Sequence, residues 1–312
     1  MASYSRLTVR HALGLAAPQT WPASVFPVLL GTALSVAMAG AFSLPVFLLV
    51  LAASVLLQSS VNTINDYYDF VKGNDLVENS NDPGDAILVY NNVNPKHVKG
   101  LGFCFMAAAL LLGAYPAYCG GFATLAFGAV GCFVIVAYSA GPKPVSYLPL
   151  GELVSGTVMG WFITAAVFSA FAGYLVPEVF FLSLPLVFGI GLIMMTNNIC
   201  DIERDSNTSR KTLPMLLGRR RAKAVYFFCT GAWIALVVVC TAFRFRGGLP
   251  LVTILLLASF PVWAHLVRLP FTPERREQCM GAIAAANLCA DAAYVAAVLV
   301  HALREQLIFL SI

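Results

Sequence analysis

Apolar runs of spanning length, separated by short polar segments, recur along nearly the whole chain. They fall near 21–42, 44–65, 100–118, 121–138, 153–173, 179–199, 224–243, 249–267 and 279–300. Each is close to the roughly 20 residues that a helix needs to cross a bilayer. The runs show neither the two-residue alternation of a half-buried strand nor the narrow stripe of a soluble amphipathic helix. Such a pattern predicts an all-α, polytopic membrane protein with nine transmembrane helices. Glycine and proline recur inside the runs, which membrane helices tolerate because neighbouring helices re-satisfy the freed backbone groups. The first run follows Arg6 and Arg10 but is too long for the apolar core of a secretory signal, so it is expected to be the first span. No linker or low-complexity tract divides the chain, and a single domain over 1–312 is expected.

Composition narrows the class further. Hydrophobic residues make up 59% of the chain and charged ones 11%, with a mean hydropathy of +0.81. Soluble domains average about 45–50% apolar and about 25% charged, so soluble enzymes with acidic helices are excluded. The eight cysteines are scattered, form no CxxC pair and read as small buried hydrophobes. If the N-terminus is cytoplasmic, 16 of the 19 basic residues fall on that side, leaving only Arg244, Arg246 and Arg304 outside. The bias of Lys and Arg toward the cytoplasm then sets the orientation.

Two polar stretches break the apolar pattern. Asn62 to Asp75 reads NTINDYYDFVKGND and carries Asn62, Asn65, Asp66, Asp69, Asn74 and Asp75 directly after an uncharged run. On a helix, Asn62 with Asp66 and Asn65 with Asp69 stand one turn apart, so their side chains converge on about one face. Such carboxylates repel one another unless a cation relieves them, and hard oxygen ligands suit Mg²⁺. The second stretch, NNICDIERDSNTSRKTLP, places Asp201 and Asp205 one turn apart. Both stretches sit where an apolar helix runs out, at the end whose partial negative charge attracts cations. They open on the same face, the cytoplasmic one, and could clamp a diphosphate between metal ions.

Basic residues complete the set. Arg210 and Lys211 follow the second acidic pair and can contact phosphate oxygens, Arg in bidentate fashion. Lys143 is held near the same face by the turn Gly141-Pro142-Lys143-Pro144 and is a candidate for the same role. Asp291, with Asn287 one turn earlier, lies inside the last run, where a carboxylate is a functional candidate or a hydrogen-bonded packing residue. Tyr67, Tyr68, Tyr138, Tyr147 and Trp161 could shield a carbocation.

These motifs resemble the UbiA superfamily of intramembrane prenyltransferases, in the form used by its 1,4-dihydroxy-2-naphthoate polyprenyltransferase branch. NDYYD at 65–69 with Gly73 and Asp75, DIERDSNTSRKTLP at 201–214, PQTWPASVFPVLLGTAL at 18–34 and YSAGPKPVSYLPLGE at 138–152 carry the likeness in the right order. The chain departs from the family pattern at Gln19, at Ser209, and over Gly84 to Asn92, where an arginine is usual. The resemblance implies a central cavity open to lipid and a lipid-bilayer setting, with no nucleic acid and no obligatory protein partner. It implies Mg²⁺ held by Asn62, Asp66, Asp69, Asp201 and Asp205. It further implies a polyprenyl diphosphate contacted by Asn62, Asn65, Lys143, Arg210 and Lys211, and an aromatic acid acceptor that loses its carboxylate to give demethylmenaquinone. Two alternatives stand beside it: prenylation of 4-hydroxybenzoate or homogentisate, and a cation-coupled transporter, which requires carboxylates near the bilayer midplane.

Overall fold

The computed structural model describes residues 4–74 and 87–310; Asp75 and positions 84–86 of the motifs above lie outside the described residues. Among the described residues every regular element is helical, and the only β pairing is an isolated bridge between Ser5 and Val93. The chain runs through α1 (Val9–Ala16), α2 (Pro22–Ala39), α3 (Leu44–Val71), α4 (Ile87–Asn91) and α5 (Pro95–Ser139). It continues through α6 (Gly151–Ser155), α7 (Thr164–Ala172), α8 (Glu178–Leu182), α9 (Leu184–Cys200), α10 (Ile202–Ser206) and α11 (Leu213–Leu217). The remainder is α12 (Arg219–Arg244), α13 (Leu249–Ala258), α14 (Phe260–Arg268) and α15 (Arg276–Leu310). This is the all-α, polytopic membrane architecture that the apolar pattern predicts.

The nine expected spans map onto fewer continuous elements. Among the described residues six helices are long and apolar enough to cross a membrane, and the pair α13 and α14, bent by 46° at Ser259, makes a seventh as one broken span. The runs at 100–118 and 121–138 are both carried by α5, whose 45 residues break at Gly121 (φ 62°, ψ −148°). A side chain would resist that backbone conformation, and glycine does not. The run at 179–199 is divided between α8 and the 17-residue α9, with Ser183 between them. The break at Gly121 falls at the boundary that hydropathy drew between its two runs, whereas the break at Ser183 lies inside a single run and left no mark in the pattern.

Between α6 and α7 the chain forms a wide π-helical stretch, Gly156–Ile163, packed on α9. A Cβ at Gly160 would stand 2.7 Å from the Val187 amide nitrogen and 2.8 Å from its Cα, so the absent side chain is what lets the two backbones meet. The core lies around α9, α12 and α15, where Trp233, Tyr226, Tyr294 and Phe245 are fully buried. Large apolar side chains such as Phe122, Phe228 and Phe243 point outward, which water would penalise and lipid tails accept. All eight cysteines are free; Cys200, Cys240 and Cys279 are buried, while Cys104 is exposed on α5. Replacing Gly160 with Ala forces the π-helical stretch off α9 and is expected to lower stability by about 1–3 kcal/mol, the usual cost of overpacking. The measurement is a thermal melt in detergent, with an unchanged midpoint counting against this packing.

Candidate functional site

In the C-terminal half of α3, Gln58, Asn62, Asn65 and Asp69 are tied to one another and to neighbouring segments. Asn62 Nδ2 donates to the Ala16 carbonyl at 3.1 Å and to Thr20 Oγ1 at 2.8 Å, tying α3 to the end of α1. Gln58 Nε2 donates to the same threonine at 3.1 Å and to Asn62 Oδ1 at 3.4 Å. Asn65 Oδ1 accepts from Ser139 Oγ at 2.9 Å, and its Nδ2 donates to Asp69 Oδ2 at 2.9 Å. Asp69 Oδ1 accepts from Asn74 Nδ2 at 2.9 Å and from Arg210 at 2.5 Å. Asp69, a half-turn from the helix end, thus joins α3 to a segment 141 residues further along the chain.

The second acidic stretch is built on the end of α9. Asp201 caps that helix, and its carbonyl accepts the Asp205 amide at 2.8 Å, which opens α10 directly after α9. Asp205 is 2% exposed and lies 3.8 Å from Arg210, whose guanidinium therefore bridges the two acidic stretches. Asp201 pairs at 3.2 Å with Arg276 at the start of α15, and Arg276 also donates to Asn197 Oδ1 at 2.7 Å. Burial pushes the Asp205 carboxyl up to about 6, with Arg210 opposing the shift and Asp201 adding to it. Burial works against the charge on Arg210, but Asp69, through its charge and hydrogen bond, and then Asp205 outweigh it and raise the guanidinium pKa above its ordinary value.

Beside this junction, Tyr147 packs under two cations: Arg210 lies 5.5 Å and Lys72 4.7 Å from its ring centre. Lys72 Nζ donates to the Ser139 carbonyl at 2.8 Å and to that of Gly141 at 3.3 Å. Burial lowers the Lys72 pKa, with Asp69 raising it and Arg210 lowering it again.

A cavity of about 650 Å³ opens at this junction. Thr20, Asn62, Asn65, Asp66, Asn198 and Arg210 line its polar end, and Val50, Ala53, Leu57, Val158, Phe162 and Ile163 are among its apolar walls. Of the residues marked out in the sequence, Asn62, Asn65, Asp66 and Arg210 therefore share one wall. Asp69 and Asp205 stand behind Arg210, and Asp201 is held by Arg276. Lys143 and Lys211 are exposed and lie outside the cavity lining; the Lys211 amide donates to the Tyr147 carbonyl at 3.0 Å. Gln19 lines the cavity and Ser209 is exposed. Tyr138 also lines the cavity, whereas Asp291 is buried within α15, 2% exposed, with Oδ1 unpartnered. Lys72, Arg276, Asn197, Asn198 and Glu152 were not marked out as site residues; in the sequence the first two look like ordinary positive-inside charge, and Glu152 carries no spacing signal.

The donor set is oxygen-rich: carboxylates and side-chain amides from two helix ends, with no cysteine or histidine among them. Such a set fits a hard divalent cation. Among the described residues no three carboxylates, imidazoles or thiols converge into a ready-made metal cluster. The cation already present is Arg210, which lies between Asp69 and Asp205 where their repulsion would otherwise be greatest. Carboxylates gathered at helix ends, rather than midway along them, suit a substrate site at the membrane face better than an ion pathway through the bundle.

Comparison with known proteins matches residues 24–288 to the UbiA prenyltransferase family. The chain is 33% identical over 231 residues to 1,4-dihydroxy-2-naphthoate octaprenyltransferase of Bacillus subtilis, covering 73% of this chain and 73% of that protein. It is 26% identical over 258 residues to UbiA prenyltransferase domain-containing protein 1 of Xenopus tropicalis, covering 81% of this chain and 72% of that protein. The structure of a UbiA homolog from Archaeoglobus fulgidus bound to GPP and Mg²⁺ superposes with a TM-score of 0.65 at 19% identity, over 91% of this chain and 99% of that one, a likeness of fold.

Replacing Arg210 with Met leaves Asp69 and Asp205 facing one another uncompensated. The loss is expected to cost about 3–5 kcal/mol, as when one partner is removed from a buried ion pair. Adding Asp205→Asn in the same chain should recover part of it, because the repulsion then disappears. Thermal melts of the single and double variants read the difference; a double variant less stable than the single one would contradict the bridging role.

Proposed function

The chain belongs to the UbiA prenyltransferase family, and from that membership we propose a specific reaction. It transfers a polyprenyl group from polyprenyl diphosphate to 1,4-dihydroxy-2-naphthoate, with loss of the acceptor's carboxylate, giving demethylmenaquinol, the hydroquinone form of demethylmenaquinone. The observation that carries this reading is the Arg210 bridge between two acidic helix ends at the mouth of a largely apolar cavity. Charge for a diphosphate and an apolar space for its tail occur together there. The choice of acceptor is supported by the activity named for the Bacillus subtilis relative. The enzyme is an integral membrane protein, and the distribution of basic residues supports a cytoplasmic position for the site. A single prenyltransferase domain over 1–312 is part of this proposal, supported by the family match over residues 24–288.

Asn62, Asp66, Asp69, Asp201 and Asp205 would hold Mg²⁺, an assignment supported by the oxygen-rich donor set and by the Mg²⁺ and GPP in the Archaeoglobus fulgidus homolog. When bound, the metal supplies positive charge that stabilises the departing diphosphate. Arg210 contacts the diphosphate oxygens from the cavity wall, and Asn62 and Asn65 fix the face of α3 on which the substrate rests. Lys143 and Lys211 approach the same oxygens from the loops. The prenyl C–O bond breaks with its electron pair leaving on the diphosphate, and the apolar walls keep water from the allylic cation. The acceptor ring carbon that bears the carboxylate forms the new C–C bond. Departure of CO₂ then returns an electron pair to the ring.

The reading is tested with purified protein in detergent supplied with 1,4-dihydroxy-2-naphthoate, a polyprenyl diphosphate and Mg²⁺. A product lacking the carboxyl mass is expected, and chelation of the metal should abolish it. Absence of any prenylated product from this acceptor, 4-hydroxybenzoate or homogentisate would overturn the assignment. Asp66→Asn and Asp201→Asn should each lower turnover by roughly 10²–10³-fold, the scale seen when one electrostatic contact to a developing charge is removed.

A further inference from the structure

Glu152 is the second residue of α6, and its side chain turns toward α9. There Asn198 Nδ2 donates to Glu152 Oε1 at 2.9 Å. The other carboxylate oxygen, Oε2, is buried and takes no hydrogen bond. Asn198 is 8% exposed, and what remains exposed is on the cavity wall. Its amide nitrogen is committed to Glu152, which leaves its carbonyl oxygen as the side-chain atom free to meet a ligand in the cavity.

A second polar atom stands beside this amide. A Cβ on Gly151 would lie 3.5 Å from Tyr138 Oη and 3.8 Å from Asn198 Nδ2, so both groups crowd toward a position that carries no side chain. Tyr138 and Gly151 line the cavity, and the tyrosine hydroxyl has only the weak acceptor Met194 Sδ, at 3.4 Å. The result is a small polar recess formed by α6, α9 and the end of α5. It carries a buried carboxylate, and the charge of Arg210 reaches its tyrosine from the neighbouring junction.

The chemistry of the recess decides what it can hold. A diphosphate offers only acceptor oxygens and negative charge, so a carbonyl oxygen backed by a carboxylate repels it. A prenyl tail has no polar atom to offer. A ring hydroxyl donates, and it meets an acceptor made more negative by the charge behind it.

We propose that Asn198 binds a ring hydroxyl of the aromatic acceptor through its side-chain carbonyl, and that Glu152 is the positioning residue that fixes the amide in that orientation. This rests on the prenyl transfer proposed above and names the part of the site that selects a hydroxylated ring. A side-chain amide can turn over within an almost unchanged outline. With Glu152 in place, the turned amide would set oxygen against oxygen, so only one orientation survives. Remove the carboxylate, and the amide presents its NH₂ group to the cavity as readily as its carbonyl.

The test uses the full chain in detergent and separates the two substrates. Acceptor and prenyl diphosphate KM values are measured for the wild type, E152A, E152Q and N198A, with 1,4-dihydroxy-2-naphthoate and its dimethyl ether as acceptors. Acceptor binding is measured alongside by calorimetry. E152A and N198A should raise the KM and Kd for the dihydroxy compound about tenfold, the weight of one hydrogen bond. Their diphosphate KM should stay within about twofold of the wild type. Both variants should also lose the preference for the dihydroxy compound over its ether. E152Q should fall between wild type and E152A, because a glutamine oxygen accepts the same Asn198 N–H while its NH₂ group also admits the turned amide and the charge is gone. The assignment is overturned if the diphosphate KM or the Mg²⁺ requirement shifts with the acceptor KM, if kcat alone falls, or if E152A leaves the acceptor KM unchanged. Should E152A fail to fold, N198A and the ether comparison decide the matter. Glu152-dependent acceptor binding without transfer would sink the proposed reaction and leave this assignment standing. Transfer without the KM split would do the reverse, and a wild type that neither binds nor transfers would sink both.

Discussion

The site depends on one guanidinium. Arg210 closes on Asp69 at 2.5 Å and lies 3.8 Å from Asp205, and without it two carboxylates would face one another with little water to screen them. Pairs of this kind contribute little net stability, because desolvation offsets most of the attraction. They do specify geometry: the end of α3 and the turn after α9 can approach only when this cation lies between them. Asn74, Tyr147 and Lys72 assemble around the same junction, so the segments 138–147 and 205–211 are fixed by contacts with the end of α3. A diphosphate with its metal ions would meet a site already balanced between opposite charges, where modest changes in charge redistribute the contacts.

The apolar part of the site follows from how helices meet in lipid. Without a hydrophobic drive between them, helices associate through close packing of small residues. Gly160 against Val187 brings the π-helical stretch onto α9. Gly121 breaks α5 partway along its length, so that residues on either side of the break line the cavity. π-Helical segments are often found at functional sites. Here the segment contributes Val158, Met159 and Phe162 to the cavity wall.

The two ends of the site divide the chemistry. Around Arg210 the groups are acidic and basic together, suited to a metal–diphosphate. Around Glu152 and Asn198 they present acceptors only, suited to a hydroxyl. Both groups reach the cavity from α9 or the segment that follows it, Asn198 from the helix and Arg210 from beyond Asp205. A short stretch of chain thus sets the separation between the proposed diphosphate end and the proposed acceptor end of the cavity.

Much of this was legible in the sequence. Runs of about 20 apolar residues leave a helix as the way to satisfy the backbone in lipid, so the all-helical membrane class followed from hydropathy alone. The spacing of Asn62, Asn65, Asp66 and Asp69, and of Asp201 and Asp205, marked both acidic stretches, because one-turn periodicity survives in any helix. What the sequence did not contain was which cation meets which carboxylate. Arg210, Lys211 and Lys143 looked alike as loop charges, yet Arg210 turns into the cavity wall while the two lysines are exposed outside it. The helix break at Ser183, Arg276 reaching Asp201, and Glu152 behind Asn198 likewise depend on how segments pack in the folded chain. Hydropathy and helical period are local properties that one segment carries by itself. Charge pairing and cavity shape belong to the packed assembly, because they are set by distances that exist only after the helices have come together.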